Sequence, residues 1–394
     1  MKTWYLLPFL IQVFTWGILC GADSKLNVVM VIADDLNDFA FHKNIPIAKT
    51  PHLDAFRKSA ITFYNAYCAA PVCEPSRASM FSGRFPHHTG SYLNGSDPWR
   101  KAPLNTTEAL PELFKRSGYT TFGRGKLLHA KLDEGREEKM WDNRPLYGGG
   151  FGPFPREEDQ VEGSFWGVTP WEGPDSDFPD VLNVDAAVDF LSVAHEDPFF
   201  LVVGLWRPHT PYTAPERFFK LYDPAEIPIP LPGYSPDDLS DVPPYGHYLS
   251  SIWGSRWEIS GKDNPDTWRR MVHGYLACSS FADWSIGRLV NAVDAIELRE
   301  NTIIVVWSDN GYHLGEKSHY EKNTVWEKSA MTPLVIRLPG SKHAGKQVMA
   351  PVGSIDIYPT LVDYCGLEIP SHELDGKSLR PLLTDPLSSR DRPA

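Results

Sequence analysis

Four runs of apolar residues, each bounded by polar ones, set the rhythm of this chain. Asn27–Ala33 (NVVMVIA), Phe199–Leu205 (FFLVVGL), Thr302–Trp307 (TIIVVW) and Leu334–Leu338 are continuous rather than alternating. Short unbroken runs of this kind predict strands buried on both faces, as in a parallel sheet. Tyr119–Phe122, just after Gly118, reads as a further strand. Between the runs, apolar residues recur at helical spacing. Val181, Val184, Ala187, Val188 and Leu191 share one face of a helix predicted over 180–195, and Val272, Leu276, Ile286, Leu289, Val290 and Val293 mark a long one over 266–296. Further helices are predicted over 51–59, 76–82, 107–117 and 357–364. Alternating strands and helices predict an α/β fold, a large mixed, mostly parallel sheet between helices. Residues 131–179 and 223–265 break the rhythm with Pro, Gly, Asp and Trp. Segments that long inside a compact domain read as covers or binding walls.

The ends of the chain are patterned differently. Lys2 precedes an apolar stretch from Leu6 to Leu19 that closes on Cys20-Gly21-Ala22, which reads as a signal peptide over 1–22. The stretch is short for a bilayer span, so the expectation is the secretory pathway (secreted, periplasmic or lysosomal) without stable membrane insertion. The catalytic domain is expected over 23–380. Residues 381–394 form a charged, Pro-containing tail. Without the leader, Cys68, Cys73, Cys278 and Cys365 remain, and nothing in their spacing reads as a disulfide framework. Asn94-Gly95-Ser96 and Asn105-Thr106-Thr107 are glycosylation sequons.

Of the 394 residues, 22% are charged, and the net charge is −12. A field of that sign disfavours nucleic acid as a partner. An anionic substrate would have to be held by cations gathered locally. The predicted strands end in such groups. The first runs into Asp34-Asp35 and the third into Asp309-Asn310. Three carboxylates and an amide oxygen make a hard, all-oxygen set suited to Ca²⁺ or Mg²⁺. Tyr119–Phe122 leads into Gly123-Arg124-Gly125-Lys126-Leu127-Leu128-His129, where glycines allow Lys126 and His129 into a confined space. Phe199–Leu205 leads to His209, and Lys322 follows Gly315-Glu316 on a loop. A two-zinc phosphatase site would need more histidine ligands than this pattern supplies.

The remaining motif is Cys73-Glu74-Pro75-Ser76-Arg77, followed by Gly83-Arg84. Cys-x-Pro-Ser-Arg is the sequence at which a formylglycine-generating enzyme oxidises cysteine to formylglycine. With VIADDL, APVCEPSRASMFSGR, GKLLH, PFFLVVGLWRPHTPY, SDNGYHLGEKSHYEK and TPLVIRLPG in that order over about 27–380, the chain resembles the sulfatase family of the alkaline phosphatase superfamily, most of all its iduronate-2-sulfatase branch. The resemblance implies an alkaline phosphatase-like fold in which the usual small C-terminal antiparallel-sheet domain is largely absent. The tail over 381–394 would then be the start of that subdomain. It implies a sulfuric ester hydrolase acting on a sulfated saccharide, such as a glycosaminoglycan. Asp34, Asp35, Asp309 and Asn310 would hold one Ca²⁺ together with formylglycine formed from Cys73. Arg77 would hold the diol of that residue, and Lys126 and Lys322 the sulfate oxygens. His209, with Lys322, would protonate the leaving oxygen, and His129 would take the proton that frees sulfate. Two other readings stay open: a phosphonate or phosphate ester hydrolase of the same superfamily, and an inactive sulfated-glycan-binding protein. The loops over 131–179 and 223–265 match the iduronate-2-sulfatases weakly, so the sugar is not implied.

Overall fold

The structure, a computed structural model, describes residues 25–40, 48–129, 132–143, 149–252, 257–258, 261, 263–295 and 297–390. The leader expected over 1–22 and the last four residues of the expected tail lie outside them.

A seven-stranded sheet organises the fold. Its order is Gln347–Val348, Ile61–Phe63, Leu334–Arg337, Thr302–Ser308, Asn27–Asp34, Phe199–Pro208 and Thr120–Gly125. The last four run parallel, and Leu334–Arg337 is antiparallel to both neighbours. The central strand, Asn27–Asp34, is buried along its whole length, as its unbroken apolar run predicts. Successive residues face opposite sides of the sheet. Val28, Met30 and Ile32 join one core with Ala78, Leu113, Phe114 and Leu361, whereas Val29, Val31 and Ala33 join another with Leu53, Val184, Ile286 and Leu289. Helices therefore cover both faces. Cys73–Ser82, Leu110–Arg116 and Ile357–Cys365 lie on the first side, and Pro51–Lys58, Pro179–Leu191 and the long Pro265–Ala295 helix on the second. Leu382 and Leu383 of the short Arg380–Thr384 helix are buried in the first core.

Three expectations shift. The helix expected over 76–82 begins at Cys73, so the whole motif lies in its first turns. Pro75 is tolerated there because first-turn N–H groups have no partner inside the helix. The predicted 107–117 helix shortens to Leu110–Arg116, where Glu112 accepts the Ala109 N–H at 2.6 Å and fixes the start. The long irregular segments carry real structure: helices at Glu134–Met140 and Pro244–Ile252, and strands at Gln160–Glu162 and Trp166–Trp171, the strands forming a small sheet with Tyr212–Pro215. Tertiary contact forms that sheet, not alternation along the sequence. Trp166, Val168 and Tyr212 share a third core with Met271, Tyr275 and Tyr312. Gly274 of the long helix makes room, since a Cβ there would lie 2.8 Å from Tyr212 Cβ and 2.9 Å from Val168 Cγ1.

Four cysteines among the described residues are free thiols, so these cores hold the fold without staples. No helix among the described residues is long and apolar enough to cross a membrane. Nor does a four-stranded antiparallel sheet occur among them.

Candidate active site

The four parallel strands deliver their polar termini to one edge, where open α/β sheets bind ligands. Asp34 ends the central strand, Asp309-Asn310 follows Ser308, Lys126 follows Gly125, and His209 follows Pro208. The Cys73–Ser82 helix points its first turn at the same place, and the loop after Leu314 brings Lys322. All ten sequence-predicted site residues fall in this region. Nine lie in one network of contacts, and His129 is tied to it by the field of its lysines.

The backbone is shaped for this purpose. Asp35 has φ +68° and His129 φ +60°, a left-handed conformation that costs a non-glycine residue about 1–3 kcal/mol. Surrounding bonds impose it on Asp35. Its N–H donates to Asp309 Oδ1 at 3.1 Å, and the Tyr275 hydroxyl donates to its carbonyl at 2.7 Å. Ser308 Oγ accepts the Leu36 N–H at 2.9 Å, tying the two acidic turns together.

Six ionisable groups are buried here together: Asp34, Asp35 and Asp309 against Arg77, Lys126 and Lys322. Arg77 Nε donates to Asp309 Oδ2 at 2.8 Å, and its other arm reaches the carbonyls of Lys126 and Leu127, the latter at 3.1 Å. Lys126 pairs with Asp34, and Lys322 with Asp35. Each buried ion costs several kcal/mol even after relaxation, so stability alone gives little reason to gather six. Burial raises the Asp34 carboxyl, but Lys126, Arg77 and Lys322 outweigh it and hold it at about 2. Burial opposes the charge on Lys322 too, yet Asp35, Cys73 and Asp34 hold it well above the usual lysine range. The six charges therefore cancel, three against three.

Cys73 sits at the centre. Its Sγ lies 3.3 Å from Asp34 Oδ1, 3.9 Å from Asp35 Oδ1 and 3.0 Å from Lys322 Nζ. Burial, followed by the Asp34 charge, pushes its thiol well above the usual range. A thiol that keeps its proton is a poor nucleophile and a poor metal ligand.

The oxygen donors fit a hard cation. Asp34, Asp35, Cys73 and Asp309 each bring a ligand atom within 4.8 Å of the others. Asn310 Nδ2 donates to Asp35 Oδ1 at 2.8 Å, while Asn310 Oδ1 and Asp35 Oδ2 are buried without a hydrogen-bond partner. Oxygens left so cost about 1–3 kcal/mol each, and carboxylate and amide oxygens are the ligands that Ca²⁺ and Mg²⁺ take.

The histidines differ in setting. His209 Nδ1 donates to the Thr210 carbonyl at 2.6 Å, which turns Nε2 toward Asp35 Oδ2, 3.7 Å away. Burial and then Lys322 hold its pKa well below the ordinary value. His129 is held at about 2 by burial, then by Lys126, Arg77 and Lys322, and its Nδ1 has no partner. It is a neutral base in a positive field.

Several supporting residues escaped the sequence reading. Glu74 accepts the N–H groups of Gly95 and Ser96 at 2.8 and 2.9 Å, and its own N–H donates to Asn94 Oδ1 at 3.0 Å. Asp180 accepts the N–H groups of Trp206 and Arg207 at 2.8 and 3.1 Å, fixing the strand end before His209. Tyr275 sits on a helix face whose spacing reads only as core. Ser76, which bonds the Asp309 carbonyl, was within reach because it belongs to the motif. Trp141, Trp166 and Trp206 are buried as packing residues. A concavity of about 660 Å³ lined by Lys25, Asn27, His195 and Asn301 lies at the opposite, amino ends of the strands.

The fold is of the alkaline phosphatase kind, a large mostly parallel sheet between helices, with a buried, charge-balanced cluster at the carboxyl edge of that sheet. A family profile described as Sulfatase matches residues 26–367. The chain is 36% identical to a sulfatase of Formosa agariphila over 88% of this chain and 70% of that protein. It is 27% identical to iduronate 2-sulfatase of Homo sapiens over 88% and 70%. A phosphonate monoester hydrolase from Silicibacter pomeroyi superimposes with a TM-score of 0.75 at 25% identity, over 91% of this chain and 77% of that one. The chain belongs to the sulfatase family and is a sulfuric ester hydrolase.

Proposed function

We propose that this protein releases sulfate from a sulfated sugar, using formylglycine formed from Cys73 and one Ca²⁺. The observation that carries the reading is a buried Cys73 set among three carboxylates and three cations, with the Asn310 amide on Asp35. Formylglycine at position 73 supplies a hydrated aldehyde, whose geminal diol offers a nucleophilic oxygen that cysteine lacks. Asp34, Asp35, Asp309, Asn310 and residue 73 would hold Ca²⁺, which would supply a positive charge favouring ionisation of that oxygen.

The chain's own residues do the rest. The six buried charges cancel, so a divalent cation leaves the pocket positive and attractive to a sulfate ester despite the negative molecule. Lys126 and Lys322 would bind sulfate oxygens, where their charge counts most as negative charge builds in a dry pocket. Arg77, anchored on Asp309 and two carbonyls, orients residue 73. His209 Nε2 faces the site beside Lys322 and is the donor to the leaving alcohol. Burial first and Lys322 second keep His209 neutral, and a negative substrate opposes the second of these as the proton is taken up. His129 would accept the proton given up at position 73 as sulfate departs, the negative sulfate offsetting part of the cationic field that, after burial, holds its pKa low.

The expected sequence of maturation is export through the secretory route and modification by a formylglycine-generating enzyme. Protein matured in this way should release sulfate from sulfated saccharides and aryl sulfates, and Cys73→Ala should abolish it. Sulfate release surviving that substitution would place the nucleophile elsewhere. A higher kcat/KM for phosphonate or phosphate monoesters would instead favour the phosphonate hydrolase reading. Binding of sulfated glycans without turnover by matured protein would favour the inactive one.

A further inference from the structure

Beside the charged pocket lies a file of aromatic rings that the chemistry does not use. Phe151 packs 4.9 Å from the His209 ring and 4.6 Å from Trp206, and Lys126 Nζ lies 5.8 Å over its face. Phe165 stands edge-on to Phe151 at 4.9 Å and to His209 at 6.2 Å, and Phe154 extends the file at 5.9 Å from Phe165. The file grows more exposed with distance from the site. Phe151 is half-buried, whereas Phe165 and Phe154 are 38% and 45% exposed.

The segment bearing these rings is fixed. The Phe151 carbonyl accepts from the buried Arg207, the Pro153 carbonyl from Thr213 Oγ1, and the Arg156 N–H donates to Thr169 Oγ1 at 3.3 Å. Arg207 is held in turn by the carbonyl and hydroxyl of Thr213, both at 2.8 Å. Single exposed apolar residues are ordinary. Three phenylalanines linked in file through Phe165, with Phe151 held by a buried arginine and lying beside a sulfate-side lysine and the histidine on the leaving-group side, are a built surface.

We propose that Phe151, Phe154 and Phe165 form a platform that receives the ring bearing the sulfate-ester oxygen, so that cyclic alcohols are selected over acyclic ones. The inference rests on the sulfatase reading and on His209 marking the leaving-group side. Its chemistry is the flat apolar face of a pyranose or an aryl ring laid on aromatic carbon. Sulfate itself enters past Lys126, so the platform acts on the alcohol portion alone.

The test uses matured protein with three probes: a sulfated monosaccharide, 4-nitrophenyl sulfate and ethyl sulfate. Phe165→Ala and, separately, Phe154→Ala should lower the ratio of kcat/KM for each cyclic ester over ethyl sulfate by about three- to tenfold, mostly through KM, as expected for loss of one ring contact. Phe165→Tyr should restore the ratio. A fall with 4-nitrophenyl sulfate alone would mean an aryl site and overturn the sugar-face reading. Equal losses on cyclic and acyclic esters, or no change, would overturn the platform while leaving the sulfatase assignment intact. If wild-type protein turns over none of the three esters, the functional reading itself fails and the platform with it.

Discussion

Position 204 shows how a single residue fixes the site. Gly204 lies where the Phe199–Pro208 strand passes the Lys126 turn; its carbonyl accepts the Lys126 N–H at 2.8 Å, and a Cβ on it would come within 1.8 Å of the Lys126 oxygen. That oxygen is an acceptor for Arg77. Gly125 faces the same constraint with φ +77° and 2.0 Å between an added Cβ and the Gly204 carbonyl. A methyl group at 204 therefore displaces Lys126 and loosens Arg77 together. Gly204→Ala should lower kcat at least tenfold and cost about 1–3 kcal/mol of stability by overpacking, read by steady-state kinetics and denaturant unfolding. Wild-type kinetics in that variant would show that the close approach is not needed.

At the scale of elements, Asp283 of the long helix caps another helix across space. Its carboxylate accepts the N–H groups of His52 and Leu53 at 3.0 and 2.7 Å, in the first turn of Pro51–Lys58, where Thr50 makes no side-chain cap. Burial raises its pKa from 3.8 to about 7, beyond what those two bonds lower, with Asp54 adding to the rise. The native state then binds more protons than the unfolded one between these values. The stability this group contributes is complete below pH 3.8 and is lost as pH rises through about 7. Asp283→Asn keeps an acceptor but cannot ionise, so across this window its unfolding free energy should fall less with rising pH than that of wild type. Parallel curves in urea unfolding at pH 4, 5.5 and 7 would contradict the assignment.

The same scale shows what the sequence could convey. The buried strands were legible because a run such as NVVMVIA has few other uses, and the site because each run ended in charge. The start of the motif helix at Cys73 was hidden by Pro75, a helix breaker everywhere except the first turn. The Trp166–Trp171 strand was hidden because Val168 and Trp166 are ordered by Tyr212 and the long helix, not by their own neighbours. Asp180, Glu74 and Tyr275 act through backbone groups far away in sequence, a role no local pattern encodes. Phe151, Phe154 and Phe165 lie in a segment with no periodicity, so their common file appears only in three dimensions.

For the whole molecule, two quantities oppose each other: a net charge of −12 and a pocket in which charge cancels. A hard cation bound by the native acidic set and not by the unfolded chain stabilises the protein by mass action, about 2.7 kcal/mol at a hundredfold excess over Kd. The melting temperature should therefore rise with the logarithm of Ca²⁺ concentration and return on chelation. Asp309→Asn should remove that dependence. A melting temperature indifferent to Ca²⁺ and chelator would argue against a metal held by Asp34, Asp35, Asp309 and Asn310.

The central claim concerns position 73, where burial and Asp34 push the thiol well above its usual range and the proposed mechanism calls for a geminal diol instead. Peptide mass spectrometry of protein purified from its native host tests it directly. The account predicts that the fragment containing Glu74-Pro75-Ser76-Arg77 carries formylglycine at position 73, as aldehyde or hydrate. Cysteine alone at that position, in protein that releases sulfate, would contradict it.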